Sequence, residues 1–262
     1  MLSGNILDVY PDYQKNVIVT WLLQKNGRTR RVEDHYEPSF YVYSTSKDLS
    51  ETAKILGELP QVKYLQCTAE KIVLGSPKSF MVLEVVPKTL DALHTLARLV
   101  DSWGGFHMYH LFNVDLRLPS RYLQDRGVFC HAWVRWDGNQ FLLDDEQWAL
   151  DYDIPLFKKI RFNVKQNQNR TIRSFHDPIT SVVIDDEVIA EENEVDTILS
   201  AVDRIHQIDP DIILTENGDT VLLPFLYHRA TVCGIQHQVN LGREEHAQKN
   251  SLRPVKQGKS YF

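Results

Sequence analysis

The sequence predicts an α+β protein of two domains: a mixed-sheet domain, then a smaller sheet-and-helix domain. Three observations predict it. Short β-branched and aromatic runs outnumber the stretches with helical periodicity. Turn signals such as Asn26-Gly27 and Asp137-Gly138 separate neighbouring runs, which marks hairpins. The 262 residues, 43% of them hydrophobic, are enough for two modest cores.

The first domain is expected over residues 1–127. Residues 16–24, NVIVTWLLQ, read as a strand that returns through Asn26-Gly27 into the polar strand RTRRVE. Residues 39–43, SFYVY, are aromatic and β-branched and suit a core strand. A helix over 47–59 places Leu49, Ala53, Leu56 and Leu59 on one side. Strands over 62–67 and 79–86 follow. Residues 90–103 form a clearer helix, with Leu90, Leu93, Leu96, Ala97 and Val100 at helical spacing and Gly104-Gly105 at its end. Residues 106–115 read as a strand whose Met108 and aromatics face the core, and 120–124 as a short helix ending at Gly127.

Residues 128–151 form a hairpin connector around Asp137-Gly138-Asn139. Its Trp133, Trp136 and Trp148 suit packing, or a base-stacking platform. The second domain is expected over 152–262. Its strands are 157–165 (FKKIRFNVK), 170–175 and 180–184, with Asp185-Asp186 as the turn into Val188-Ile189. Asn193 caps a helix whose apolar face is Val195, Ile198, Leu199, Val202 and Ile205. A short strand at Ile212 precedes a helix from Leu223, with Pro224 in its first turn.

The most distinctive stretch is 209–226, DPDIILTENGDTVLLPFL: a short strand, a polar turn at Asn217-Gly218-Asp219, and a Pro-led helix. It resembles the second exonuclease motif of family B DNA polymerases, an Asp-Pro-Asp strand followed by Tyr-Asn-Gly-Asp and Phe-Asp. Glu37-Pro38-Ser39-Phe40-Tyr41 resembles that family's Glu-Pro-x-Phe-Tyr strand. Asp115, then Arg121-Tyr122-Leu123 and Arg126-Gly127, resembles the end of its N-terminal domain. The resemblance implies a ribonuclease H-like fold, here partial, for residues 152–262. In archaeal members the N-terminal domain carries a uracil-recognising pocket, whose lining elements would fall on Pro38, Leu116 and Leu118.

In that family the exonuclease uses two divalent metals held by carboxylates, because hard cations need charged oxygen ligands. The first motif supplies Asp-x-Glu, where this chain has Asn163 and Lys165. The second supplies an Asp, where this chain has Leu222. The resemblance therefore implies a degenerate exonuclease site with no catalytic residue and no metal in this stretch. A parent polymerase would use Mg²⁺ in domains that lie outside this sequence. Alternatives are a nuclease with a rearranged site at Asp177, Asp185 or Asp219, and an interaction domain without DNA chemistry.

Charge and composition set the expected partners. The formal net charge of -6 argues against a nonspecific nucleic-acid surface over the whole chain. Residues 151–173 are basic, however, whereas 177–219 contain Arg204 as their single Lys or Arg. Lys158, Lys159, Arg161 and Lys165 are thus the candidate contacts to template or primer DNA. The remaining polymerase domains are the other expected partners. No apolar run approaches the ~20 residues that span a bilayer, so no membrane partner is expected. Cys67, Cys130 and Cys233 are far apart and odd in number, which suits a reducing cytoplasm.

Overall fold

The structure is a computed structural model and describes residues 1–46, 48–149, 153–166 and 174–244. The chain divides into two compact units, 1–155 and 156–262.

The first unit opens with β1 (Leu2–Asp12), β2 (Val17–Leu23) and β3 (Thr29–Asp34). Then come β4 (Phe40–Tyr43), helix α1 (Leu49–Gly57), β5 (Val62–Glu70) and β6 (Phe80–Pro87). Helix α2 (Ala92–Trp103), β7 (His110–Phe112), helix α3 (Leu118–Asp125) and the hairpin β8 (Trp133–Trp136) and β9 (Phe141–Leu143) complete it.

Two sheets result, ordered β3-β2-β1-β8-β9 and β5-β6-β4-β7. In the second, β4-α1-β5-β6-α2-β7 is a split β-α-β arrangement. One core gathers Ile6, Ile18, Leu22, Leu118, Tyr122 and Val134 beneath the first sheet; another gathers Phe40, Val42, Leu83 and Val85 with Leu93, Leu96 and Val100 of α2. Asn16 joins the two substructures: its amide donates to the Lys88 carbonyl at 3.2 Å and its oxygen accepts from the Leu90 N–H at 2.8 Å.

The Arg-Tyr-Leu segment has a structural role here. Tyr122 is fully buried, and its hydroxyl donates to Asp34 Oδ2 at 2.8 Å. Arg126 Nε donates to the same oxygen at 2.8 Å, so α3 is fastened to the end of β3. Burial and the Asp34 carboxylate push the Tyr122 phenol far above its ordinary range. Gly127 follows with φ 65°, the left-handed conformation that ends a helix without a Cβ clash.

Several elements differ from the sequence expectation. β1 is additional, an eleven-residue strand that pairs with β2 and β8. Its run LSGNILDVYPD breaks alternation with Gly4, Pro11 and a bulge between Ile6 and Asp8, which hides it from pattern reading. The hairpin over 128–151 is integral to the first sheet: Trp133 stands opposite Asn5 and Trp136 opposite Leu2. The strand expected over 106–115 shrinks to His110–Phe112, because Gly105 and Phe106 both take left-handed backbone angles while the chain leaves α2. Phe106 is exposed, not core, and Met108 is half-buried.

The second unit comprises β10 (Lys159–Gln166), β11 (Ile179–Ile184), β12 (Glu187–Ile189), helix α4 (Glu194–Ile208), β13 (Ile212–Leu214) and helix α5 (Leu223–Val232). A π-helical turn, Gly218–Leu222, leads into α5. The sheet order is β12-β11-β10-β13, with β10 and β13 parallel and the other pairs antiparallel. Its core holds Ile160, Phe162 and Val164 of β10, Ile198, Val202 and Ile205 of α4, and Phe225 and Leu226 of α5. The strand expected over 170–175 lies outside the described residues up to 173, and Ser174 and Phe175 are not in a strand.

Candidate nucleic-acid interface

Strand β10 separates its side chains by strict alternation. Ile160, Phe162 and Val164 are buried; Lys159, Arg161 and Lys165 are exposed, with Asn163 half-buried between them. The basic residues therefore share one face of the sheet and the apolar residues fill the other. Asn163 stands opposite Val183 and Lys165 opposite Ser181. Asp185, in the turn between β11 and β12, fixes the middle of the strand. Its Oδ1 accepts from the Arg161 N–H at 2.8 Å, and its own N–H donates to the Arg161 carbonyl at 2.8 Å.

Lys158 departs from this row. Its ammonium donates to the Ile208 carbonyl at the end of α4, and its N–H donates to Asp211 Oδ2 at 2.8 Å. Arg243 adds hydrogen bonds to Asp209 Oδ1 at 2.5 Å and to Asp211 Oδ1 at 2.9 Å. These residues latch the α4 terminus to the start of β13. Asp209 and Asp211 are thus committed to structural bonds.

The turn after β13 is built by Asn217, whose left-handed angle (φ 51°) allows its carbonyl to accept from Val221 N and Leu222 N at 2.9 and 3.1 Å. Gly218 is needed because a Cβ there would come within 2.0 Å of Thr215 Oγ1. Leu222 is 1% exposed and belongs to the core that holds Ile160 and Phe162. The three sequence-predicted positions therefore do not share one surface. Asn163 and Lys165 lie on the open face of β10, whereas Leu222 points into the packed interior.

The donor set does not fit a divalent cation. Asn163 offers one neutral oxygen, which accepts from the Val164 N–H at 2.8 Å. Lys165 brings a positive charge and Leu222 brings none. Among the described residues, no three His, Cys, Asp or Glu side chains are grouped so that they could hold a metal ion. Asp177, Asp185 and Asp219 are accordingly not assembled into an alternative site.

Sequence reading missed a nearly buried ion pair between α4 and α5. Arg229 of α5 meets Glu194 of α4 through Nε–Oε1 at 2.8 Å and a second nitrogen to Oε2 at 2.6 Å. Glu194 also accepts from the Ile179 N–H at 2.7 Å, and Arg229 donates to the His176 carbonyl at 3.1 Å. Burial raises the Glu194 carboxyl, but the bonds from Arg229 and Ile179 outweigh it and hold the group below its ordinary range. An arginine set within the apolar run LPFLYHRA was the available signal.

In the first unit, Pro38 and Leu118 are buried, Leu118 within the core beneath the first sheet, and Leu116 is 43% exposed. Trp133 and Trp136 point to opposite faces of β8, so they share no platform. Trp136 packs on Phe141 at 4.6 Å, Lys25 lies over the Trp133 ring, and Trp148 is exposed.

Residues 156–261 match the family model described as DNA polymerase family B, exonuclease domain. The chain is similar to the N-terminal and exonuclease region of family B DNA polymerases. Among solved structures it matches the family B DNA polymerase from the hyperthermophilic archaeon Pyrobaculum calidifontis, with a TM-score of 0.69 and 22% identity over 92% of this chain and 34% of that one. This chain thus spans about a third of that polymerase's length. No curated protein matches the sequence. The α+β architecture and the ribonuclease H-like second unit follow from these likenesses. No described helix is long and apolar enough to cross a membrane.

Proposed function

We propose that this chain is the N-terminal portion of a family B DNA polymerase whose exonuclease unit has lost its metal site and serves as a scaffold that holds DNA without cutting it. The observation that carries this reading is the face of β10. Where the family places metal-binding carboxylates, it presents Lys159, Arg161, Asn163 and Lys165 side by side. A strand rises about 3.3 Å per residue, so alternate residues stand about 6.6 Å apart. A row of ammonium and guanidinium groups at that spacing suits phosphates along a strand and repels a cation. The parent activity is template-directed DNA synthesis, carried out with Mg²⁺ by domains beyond the chain described.

The test is salt-dependent binding of a fluorescent single-stranded oligonucleotide to the purified chain and to Lys159→Glu/Arg161→Glu/Lys165→Glu. We expect the variant to bind more weakly and with a shallower slope against log salt, by about 0.7 for each phosphate contact removed. Equal affinity and slope would remove the β10 face from the account.

A further inference from the structure

The sheet β5-β6-β4-β7 ends on β5, which pairs with β6 and with no other strand among the described residues. Its nine residues make it the longest of the described edge strands; β3, with six, is next. An edge of this length presents a row of backbone N–H and C=O groups to any further strand, and proteins guard such edges with prolines, bulges or lysines. On β5 the bulge and the lysine both fall at the start of the strand, at Lys63. From Tyr64 to Glu70 the strand runs along β6 in unbroken register, without proline or lysine, and Glu70 is its one charged residue. Apolar side chains are exposed beside both ends. Tyr64 is 46% exposed, and so to a similar degree is Ile55 of α1, a helix that packs on β5. Past the other end, a turn closed by the Ser76 N–H donating to the Val73 carbonyl at 3.1 Å presents Val73 and a fully exposed Leu74.

This edge is complementary to its own reverse. In an antiparallel pair, residues that face each other point their backbone groups alike, so two copies related by a two-fold axis pair residues whose numbers differ by an even amount. The regular stretch Tyr64–Glu70 is centred on Cys67, which is exposed. An axis at Cys67 sets it opposite its own copy, Leu65 opposite Ala69, Gln66 opposite Thr68 and Tyr64 opposite Glu70. Leu65 packs toward the helix-covered core, and alternation puts Cys67 and Ala69 on that same side. Apolar residues thus meet apolar residues on one side of the sheet. On the other side the Gln66 nitrogen donates to Glu84 at 2.6 Å within its own copy, which leaves the amide oxygen to accept from Thr68 of the second copy. The Tyr64 ring there lies beside the Glu70 carboxylate, and no like charges face each other across these seven positions. Lys63, just outside the stretch, is already paired with Glu37. This match of the strand with its own reverse is what selects a second copy over a foreign strand.

We propose that two copies of this chain associate by antiparallel pairing of β5 with β5 about a two-fold axis at Cys67, which joins their two sheets into one. Main-chain hydrogen bonds supply the attraction, and the side-chain pairs fix the register. The Val73–Leu74 turn of each copy then runs past Lys63 of the other, toward its exposed Ile55. The surface is in the first unit and is separate from the β10 row, so it does not rest on the fate of the exonuclease.

The experiment is sedimentation velocity of the purified chain over a concentration series under reducing conditions, followed by treatment with a short bismaleimide. A monomer–dimer equilibrium is expected. Opposed residues in an antiparallel pair have Cα atoms about 4.5–5.5 Å apart, so Cys67 lies within reach of its own copy. A covalent dimer is therefore expected from wild type and from Cys130→Ser/Cys233→Ser, and none from Cys67→Ser. Cys67→Lys sets two ammonium groups face to face on the axis and is expected to sediment as a monomer at concentrations where wild type is a dimer. A retained thermal unfolding transition in that variant separates lost pairing from lost fold. A monomer at every concentration would overturn the proposal. So would a dimer that crosslinks through Cys130 or Cys233 instead, or a Cys67→Lys variant that dimerises as wild type does.

Discussion

At the scale of single residues, Leu222 and Arg229 give the sharpest expectations. Leu222 sits in the core, so Leu222→Asp places a carboxylate where no partner or solvent awaits it. This substitution is expected to destabilise the second unit by several kcal/mol, on the order of a large core truncation. Chemical denaturation measures this, and an unchanged midpoint would mean that the side chain turns out to solvent. On the proposed function, Asn163→Asp/Lys165→Glu is therefore the better way to introduce carboxylates, since both positions lie on the open side of β10. Arg229→Ala removes one partner from a nearly buried pair and leaves Glu194 with its charge, at a cost of about 3–5 kcal/mol. The pair also links stability to pH. Glu194 is held below its unfolded value, so its contribution is full above the unfolded pKa of about 4.3 and fades as pH falls through the lower folded value. Wild type is expected to lose stability on acidification more steeply than Glu194→Gln, as acid titration followed by circular dichroism would show.

Elements were legible where one physical rule dominated. Helix α4 is the clearest case: Asn193 accepts from the Asp196 N–H at 2.9 Å, and Ile198, Val202 and Ile205 fill the core as their spacing requires. Asn193→Ala is expected to lower stability by about 1 kcal/mol, readable as a shift in the urea midpoint. The hairpin at Asp137-Gly138 was equally plain. β1 was not, because a bulge and a glycine interrupt its period and its partner β8 lies far along the chain. The Gly218 turn shows a finer constraint. Gly218→Ala collides with Thr215, so it is expected to destabilise the turn, and less so when paired with Thr215→Ala. Additive effects in a double-mutant cycle would contradict that contact.

For the whole molecule, sequence motifs pointed to the family that the chain resembles and singled out Asn163, Lys165 and Leu222, and folding showed which of those positions share a surface. Of the four candidate DNA contacts, Lys159, Arg161 and Lys165 lie exposed on one face of β10. Lys158 does not, because the carbonyl end of α4 holds its ammonium. On the proposed function, the basic row on β10 holds nucleic acid without cutting it. The most direct measurement is incubation of the purified chain with a 5′-labelled single-stranded oligonucleotide, in Mg²⁺, in Mn²⁺ and in EDTA, resolving both product length and bound fraction. The account predicts full-length oligonucleotide throughout and binding that persists in EDTA. Metal-dependent shortening from the 3′ end would contradict it.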